Sequence, residues 1–160
     1  MPKPRLYLET TIPSYLTAWT SRDPEIAADQ QTTKDWWQNR RQEFEVYISE
    51  FVWKECSGGD SAAAKERLTV LEGVPLLDEL PEIDELAAAF MSSGALPERA
   101  ATDALHIAFG AVHEMDYLLT WNCKHIANGE IIKVVRQICH MRGFSFPDIL
   151  TPTQLMGIEK

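Results

Sequence analysis

The chain has 160 residues, of which 45% are hydrophobic and 24% are charged, and its formal net charge is -9. This length and composition predict one globular domain over residues 1–160. The negative charge argues against an open basic surface for nucleic acid, because phosphate binding is driven by Lys and Arg. It suits a metal site, a basic partner or simple solubility.

No stretch approaches the roughly 18 apolar residues that a membrane span needs, and the first residues lack the apolar region of a secretory signal. We therefore expect a cytoplasmic protein with no membrane contact. The cysteines Cys56, Cys123 and Cys139 are odd in number and form no CxxC pair. Reduced thiols are a better interpretation of them than a structural zinc site.

The hydrophobic pattern predicts strands that alternate with helices. The strand-like segments, in chain order, are RLYLE, EVYIS, the candidate VPLLDE, DYLLTW and the short edge segment DILTP. The helical segments are ADQQTTKDWWQNRRQEF, EFVWKECSGGD, SAAAKERLTVLEG, PEIDELAAAFMSSG, LPERAATDALHIAFGAVHEM and NGEIIKVVRQICHMRG. Such alternation is typical of βαβ units, so we expect an α/β fold with a parallel sheet and helices on both faces.

Polar side chains occur where a ligand site is expected in this kind of sheet. Glu9 ends the first strand and Asn122 follows DYLLTW, and ligands bind beyond the carboxyl ends of parallel strands. Asp103 lies in an otherwise apolar helix, and Glu55 lies late in the helix after EVYIS. A carboxylate in such apolar surroundings needs a cation or several hydrogen-bond donors.

A shared Mg2+ or Mn2+ would satisfy all four residues, because these ions prefer carboxylate, amide and water oxygens. Each residue taken alone also fits a helix cap, a surface acid or half of an ion pair. Their joint placement at strand and helix ends favours the metal. His106 shares a helix face with Asp103, but we expect it to pack between the helix and the sheet, and we assign no role to His125.

Three segments resemble the motifs of PIN domains, in the same order. LYLETTIPSYL resembles the first strand, which an acidic residue closes, and ISEFVWKE resembles the second motif, with Ser49 and Glu55 at its ends. ATDALHIAFGAVHEMDYLLTWNCKHI resembles the third and fourth motifs together. This resemblance spans nearly the whole chain. It implies a three-layer α/β/α sandwich around a mainly parallel sheet of about five strands.

The resemblance also implies a metal-dependent ribonuclease, the toxin of a VapBC-type toxin-antitoxin pair. Glu9, Glu55 and Asp103 match the acidic metal positions, and Asn122 matches a fourth position that is usually Asp. Thr10 matches the small hydroxyl residue beside the first acid, and Thr120 matches the threonine of the last motif. The implied partners are an RNA substrate, a small antitoxin and, as in many members, a second copy of the chain.

Two departures from the motif bear on the chemistry. The first position is Glu9 where the family usually has Asp, and Asn122 would coordinate through a neutral carbonyl, which predicts weaker metal affinity or a changed metal preference. The resemblance implies that metal-assisted hydrolysis of the phosphodiester leaves 3'-hydroxyl and 5'-phosphate ends. We expect Asp103 and Glu9 to bind the metal directly, Glu55 to bind a second ion or act as a base, and Asn122 to hold a metal-bound water.

Two other functions fit the sequence. The first is a PIN-fold module that binds RNA or protein and no longer cleaves, because its site is substituted at Glu9 and Asn122. The second is a metal-dependent phosphatase on a similar α/β fold. Loss of cleavage on Asp103→Asn with metal binding retained would separate the nuclease from the binding module.

Overall fold

The structure is a computed structural model, and residues 2–158 are described. Within them four strands form one all-parallel sheet in the order β2-β1-β3-β4. The strands are β1 (Arg5–Leu8), β2 (Glu45–Tyr47), β3 (Tyr117–Leu119) and β4 (Asp148–Leu150). The alternation of strands and helices predicted an α/β fold with a parallel sheet, and this prediction is confirmed.

Helices flank the sheet and provide every connection between its strands. They are α1 (Thr11–Thr17), α2 (Pro24–Asn39), α3 (Glu50–Cys56), α4 (Ser61–Val70), α5 (Pro81–Ser92), α6 (Ala101–Val112), α7 (Gly129–Met141) and α8 (Pro152–Met156). Short 3-10 turns at Arg41–Glu43 and Glu98–Ala100 precede β2 and α6. In residues 2–158, none of the helices is both long enough and apolar enough to cross a membrane.

The candidate strand VPLLDE forms only one parallel bridge, between Leu76 and Ile48, so the described sheet has four strands rather than about five. Ile48 donates its N–H to the carbonyl of Pro75 and accepts the N–H of Leu77. Pro75 has no N–H of its own, which prevents a longer ladder. Leu76 keeps 54% of its surface exposed, whereas Val74 and Leu77 are buried, so this run is only partly covered, unlike the central strand.

The central strand β1 is covered on both faces. Leu6, Tyr7 and Leu8 are fully buried, which is why this strand is a continuous apolar run without alternation. Helix α6 contributes a wide buried surface, and the ring of its Phe109 stacks on Tyr7 with centroids 6.1 Å apart. The core therefore fixes β1 and α6 relative to each other, and both carry residues of the predicted site.

The sheet has its topological switch point between β1 and β3. From β1 the chain moves outward to β2 on one side and later returns to β3 on the other side. Leu8 pairs with Leu119, so Glu9 and Thr120 follow their strands side by side at the carboxyl edge. Crevices at such switch points are where open parallel sheets bind ligands.

The segment after β3 forms a turn that Asn128 connects to helix α7. The side-chain oxygen of Asn128 accepts the N–H groups of Glu130 and Ile131 at 3.0 and 3.1 Å, which caps the helix. Its amide nitrogen donates to the carbonyl of Lys124 at 3.2 Å. One side chain thus fixes both the start of α7 and the turn that carries Asn122.

We expect Asn128→Ala to lower the free energy of unfolding by about 1 kcal/mol, because the helix loses its N-terminal cap. Urea denaturation followed by circular dichroism measures this change. Asn128→Asp is the control that keeps the cap, so it should recover most of the loss, although it cannot donate to the carbonyl of Lys124. Equal losses in both variants would contradict the capping role.

Candidate functional site

Glu9 follows β1 and is almost fully buried, with 4% of its surface exposed. Its backbone N–H still donates to Leu119 across the sheet at 3.1 Å. The side-chain oxygen Oε1 accepts three hydrogen bonds, from the N–H and hydroxyl of Thr11 at 3.1 and 2.5 Å and from the hydroxyl of Thr120 at 2.6 Å. These donors offset the cost of burying a carboxylate.

The two threonines connect the segment after β1 to the segment after β3. The hydroxyl of Thr11 also accepts the N–H of Trp121 at 2.8 Å, and that of Thr120 accepts the N–H of Asn122 at 2.9 Å. Each hydroxyl therefore donates to Glu9 and accepts from the backbone of the neighbouring turn. The acidic end of the first strand and the hydroxyl residues after it form one hydrogen-bonded unit.

Glu55 approaches the same edge of the sheet from the last turn of α3. Its Oε1 accepts the hydroxyl of Thr10 at 2.6 Å and lies 2.7 Å from Nε2 of His106. Burial alone would raise the pKa of Glu55, but the hydrogen bond and charge of His106 and the bond from Thr10 lower it below the ordinary value. Glu55 therefore remains an anion although its side chain is only 39% exposed.

His106 is fully buried, which confirms that it packs between α6 and the sheet, and it is also hydrogen-bonded through both ring nitrogens. Nδ1 lies 2.8 Å from the hydroxyl of Tyr7, and Nε2 contacts Glu55. Burial would lower the pKa of His106, but the bond to Glu55 and the charges of Glu9, Glu55 and Asp103 raise it. The predicted acids thus surround one buried imidazole.

Asp103 and Asn122 are in direct contact. The amide of Asn122 donates to Oδ1 of Asp103 at 3.1 Å, and Oδ2 of Asp103 lies 3.0 Å from Nδ1 of His125. The side-chain oxygen of Asn122 accepts the backbone N–H of His125 at 3.0 Å. The carbonyl that the sequence assigned to a metal-bound water therefore also caps the turn after β3.

The oxygens of the acidic residues differ in how they are engaged. Across residues 2–158, no side chain or backbone group hydrogen-bonds Oε2 of Glu9 or Oε2 of Glu55. Both oxygens of Asp103, in contrast, have a partner. The same described residues contain no group of three or more His, Cys, Asp or Glu side chains arranged around a common metal position. The two glutamates therefore carry the oxygens that are open to a further ligand.

Two contributors were missed from the sequence. His125 follows Asn122 by three residues, a spacing within one turn that could have indicated its contact with Asp103. Thr11 is adjacent to the matched Thr10 and lies only two residues after Glu9, a spacing that could have indicated the contact of its hydroxyl with that carboxylate. The separation of His106 from Glu55 by 51 residues gives no such signal.

Comparisons of the chain with known proteins found no match. No protein-family model matches it, no curated protein matches it, and no solved structure matches its fold.

We expect Thr120→Val to lower the free energy of unfolding by about 1–3 kcal/mol, because the buried Glu9 loses a donor and the N–H of Asn122 loses its acceptor. Chemical denaturation of the variant measures this loss. Thr120→Ser, which keeps the hydroxyl, should recover most of it. A serine variant as unstable as the valine variant would assign the effect to packing of the methyl group.

We expect the stability of the wild type to fall as the pH rises above about 6.5, the ordinary pKa of histidine. The pKa of His106 is raised on folding, so the folded state binds the proton more tightly, and stability is lost as the pH passes the folded pKa. For one proton the slope is at most about 1.4 kcal/mol per pH unit.

Denaturation midpoints measured between pH 6 and pH 9 test this, with His106→Gln as the comparison. The variant should lose the alkaline slope of the wild type. Identical pH profiles for both proteins would show that His106 carries no linked proton.

Proposed function

We propose that the protein is a PIN-fold, Mg2+- or Mn2+-dependent endoribonuclease and the toxin of a VapBC-type toxin-antitoxin pair. One observation carries the proposal. At the carboxyl edge of the parallel sheet, Glu9 and Glu55 each have Oε1 fixed by donors, and neither Oε2 has a hydrogen bond to residues 2–158. The motif resemblance supplies the family, and the three-layer sandwich of that family remains part of the proposal.

The oxygens at this edge suit a hard divalent cation. Mg2+ usually binds through one or two carboxylates and completes its shell with waters and substrate phosphate. Glu9 and Glu55 provide two such carboxylates, and Asp103 adds a third charge close enough to raise the pKa of the intervening His106. Residues 2–158 contain no ready-made group of three such ligands, so a cation bound by the glutamates would need water and phosphate oxygens to complete its shell.

The protein's own residues divide the work of the proposed reaction. When bound, the cation would polarise a phosphodiester and lower the pKa of a coordinated water. Thr11 and Thr120 hold the carboxylate of Glu9 in place, and Glu55, whose pKa is lowered, is an anion that could accept a proton from an attacking water. Asn122 and His125 orient Asp103 from both sides.

The proposed partners are an antitoxin protein and a second copy of the chain. With a net charge of -9, the chain favours an antitoxin that presents a basic segment to the acidic edge of the sheet. A homodimer is proposed from the resemblance alone.

A second candidate function is an RNA- or protein-binding module that no longer cleaves. The contacts of Asp103 favour it, because both of its oxygens are already hydrogen-bonded and one of the partners is the substituted Asn122. A cation that needed Asp103 as a ligand would have to displace Asn122 or His125. The hydrolase and the module therefore differ in whether Asp103 takes part in chemistry.

Cleavage of a labelled structured RNA by the purified protein in Mg2+, Mn2+ and EDTA tests the proposed function. We expect cleavage with either metal, none in EDTA, and a loss of at least about 100-fold for Asp103→Asn. This variant keeps the size of the side chain, so circular dichroism should show an unchanged fold. Products should carry 3'-hydroxyl and 5'-phosphate ends.

The controls separate the two candidates. RNA binding without cleavage in any metal, with Asp103→Asn binding as well as the wild type, would favour the binding module. Cleavage that persists in EDTA would contradict a metal-dependent mechanism. Activity on phosphomonoesters but not on RNA would assign the site to a phosphatase.

A further inference from the structure

A chain of buried hydrogen bonds leads from the protein core to Glu55. The hydroxyl of Ser49 lies 2.7 Å from that of Tyr7, which lies 2.8 Å from Nδ1 of His106, and Nε2 of His106 lies 2.7 Å from Oε1 of Glu55. Ser49, Tyr7 and His106 have no exposed surface, whereas Glu55 is partly open to solvent. This series of hydrogen bonds therefore has one solvent-accessible end, which is the carboxylate of Glu55 in the proposed metal site.

The chemistry of the groups sets the direction at the accessible end. An ionised carboxylate can only accept, so Nε2 of His106 donates to Glu55. Burial raises the pKa of Tyr7 well above 10. The hydrogen bond with Ser49 lowers this pKa, but the charges of Glu9 and Glu55 raise it further. Tyr7 therefore keeps its proton, and its hydroxyl gives the inner nitrogen of His106 a permanent partner.

The packing around the chain keeps the imidazole in one orientation. Tyr7 belongs to the central strand, and Phe109 stacks on its ring at an interplanar angle of 3°. Ser49 is held by its own role as the cap of α3, where its hydroxyl accepts the N–H of Val52 at 3.3 Å. Turning the ring of His106 over would replace both of its hydrogen bonds by contacts to carbon.

Glu55 needs such a support because of where it lies. It is on the last turn of a seven-residue helix, and its flexible side chain is partly exposed. The donors Thr10 and His106 both bind Oε1, which leaves Oε2 with a defined direction and no hydrogen bond to residues 2–158. In other metal sites, hydrogen-bond donors that contact a metal-binding carboxylate hold it in the orientation that binding needs.

We propose that His106 and Tyr7 are positioning residues, which hold Glu55 so that its Oε2 can bind the divalent cation. This inference rests on the metal site of the proposed function, but it does not require that RNA be cleaved. His106 acts through Glu55 and touches neither the cation nor the substrate.

Manganese affinity without RNA tests the proposal, measured by the electron paramagnetic resonance of free Mn2+ at one fixed pH. We expect His106→Leu to weaken binding by about 10–100-fold and Tyr7→Phe to weaken it less. His106→Gln, whose amide can still donate to Glu55, should restore most of the affinity. His113→Leu is the matched control, because this histidine ends the same helix and contacts the carbonyl of Asp78 instead.

A double-mutant cycle separates positioning from general destabilisation. In a Glu55→Ala background, His106→Leu should have no further effect on the Mn2+ affinity of the folded protein, as checked by circular dichroism. Three results would overturn the proposal. They are an unchanged Mn2+ affinity in His106→Leu alone, equal losses of affinity in both backgrounds, and a wild type that does not bind Mn2+. Normal Mn2+ binding with the expected cycle, but no RNA cleavage, would remove the nuclease and leave the positioning role intact.

Discussion

The burial of the Glu9 carboxylate is the constraint on which the site depends. A charge placed at the end of the central strand must find donors within the protein, and the segments after β1 and β3 supply them through Thr11 and Thr120. Both hydroxyls also accept backbone N–H groups from the turn after β3. The same contacts that make Glu9 tolerable therefore join the two central strand ends and place Asn122 beside Asp103.

Charge balance explains the rest of the arrangement. The charges of Glu9, Glu55 and Asp103 all raise the pKa of the buried imidazole of His106. Nε2 of His106 is hydrogen-bonded to Glu55, and Nδ1 on the other side of the ring is hydrogen-bonded to the hydroxyl of Tyr7. A cation at the open oxygens of Glu9 and Glu55 would relieve the same excess of negative charge, so the hydrogen-bond network and the proposed metal site have one electrostatic cause.

The sequence could predict the parts that follow from strand ends and helix periods. Glu9 and Asn122 were placed correctly at the carboxyl edge because parallel strands bring their ends together, and Asp103 was conspicuous in an apolar helix. The prediction of a fifth strand at VPLLDE was wrong, because Pro75 interrupts a run whose hydrophobicity alone suggested a strand. Helix α1 and the pairing of His106 with Glu55 depend on tertiary packing, which has no local pattern in the chain, whereas the contact of Thr11 with Glu9 is local and was overlooked.

A crystal soaked in Mn2+ and measured at the manganese absorption edge tests the central claim most directly. We predict that the strongest anomalous peak lies at bonding distance from Oε2 of Glu9 and Oε2 of Glu55. The Oε1 atoms should keep their contacts, Glu9 with Thr11 and Thr120, and Glu55 with Thr10 and His106. A fully occupied peak elsewhere, or no peak while both glutamates keep these contacts, would contradict it.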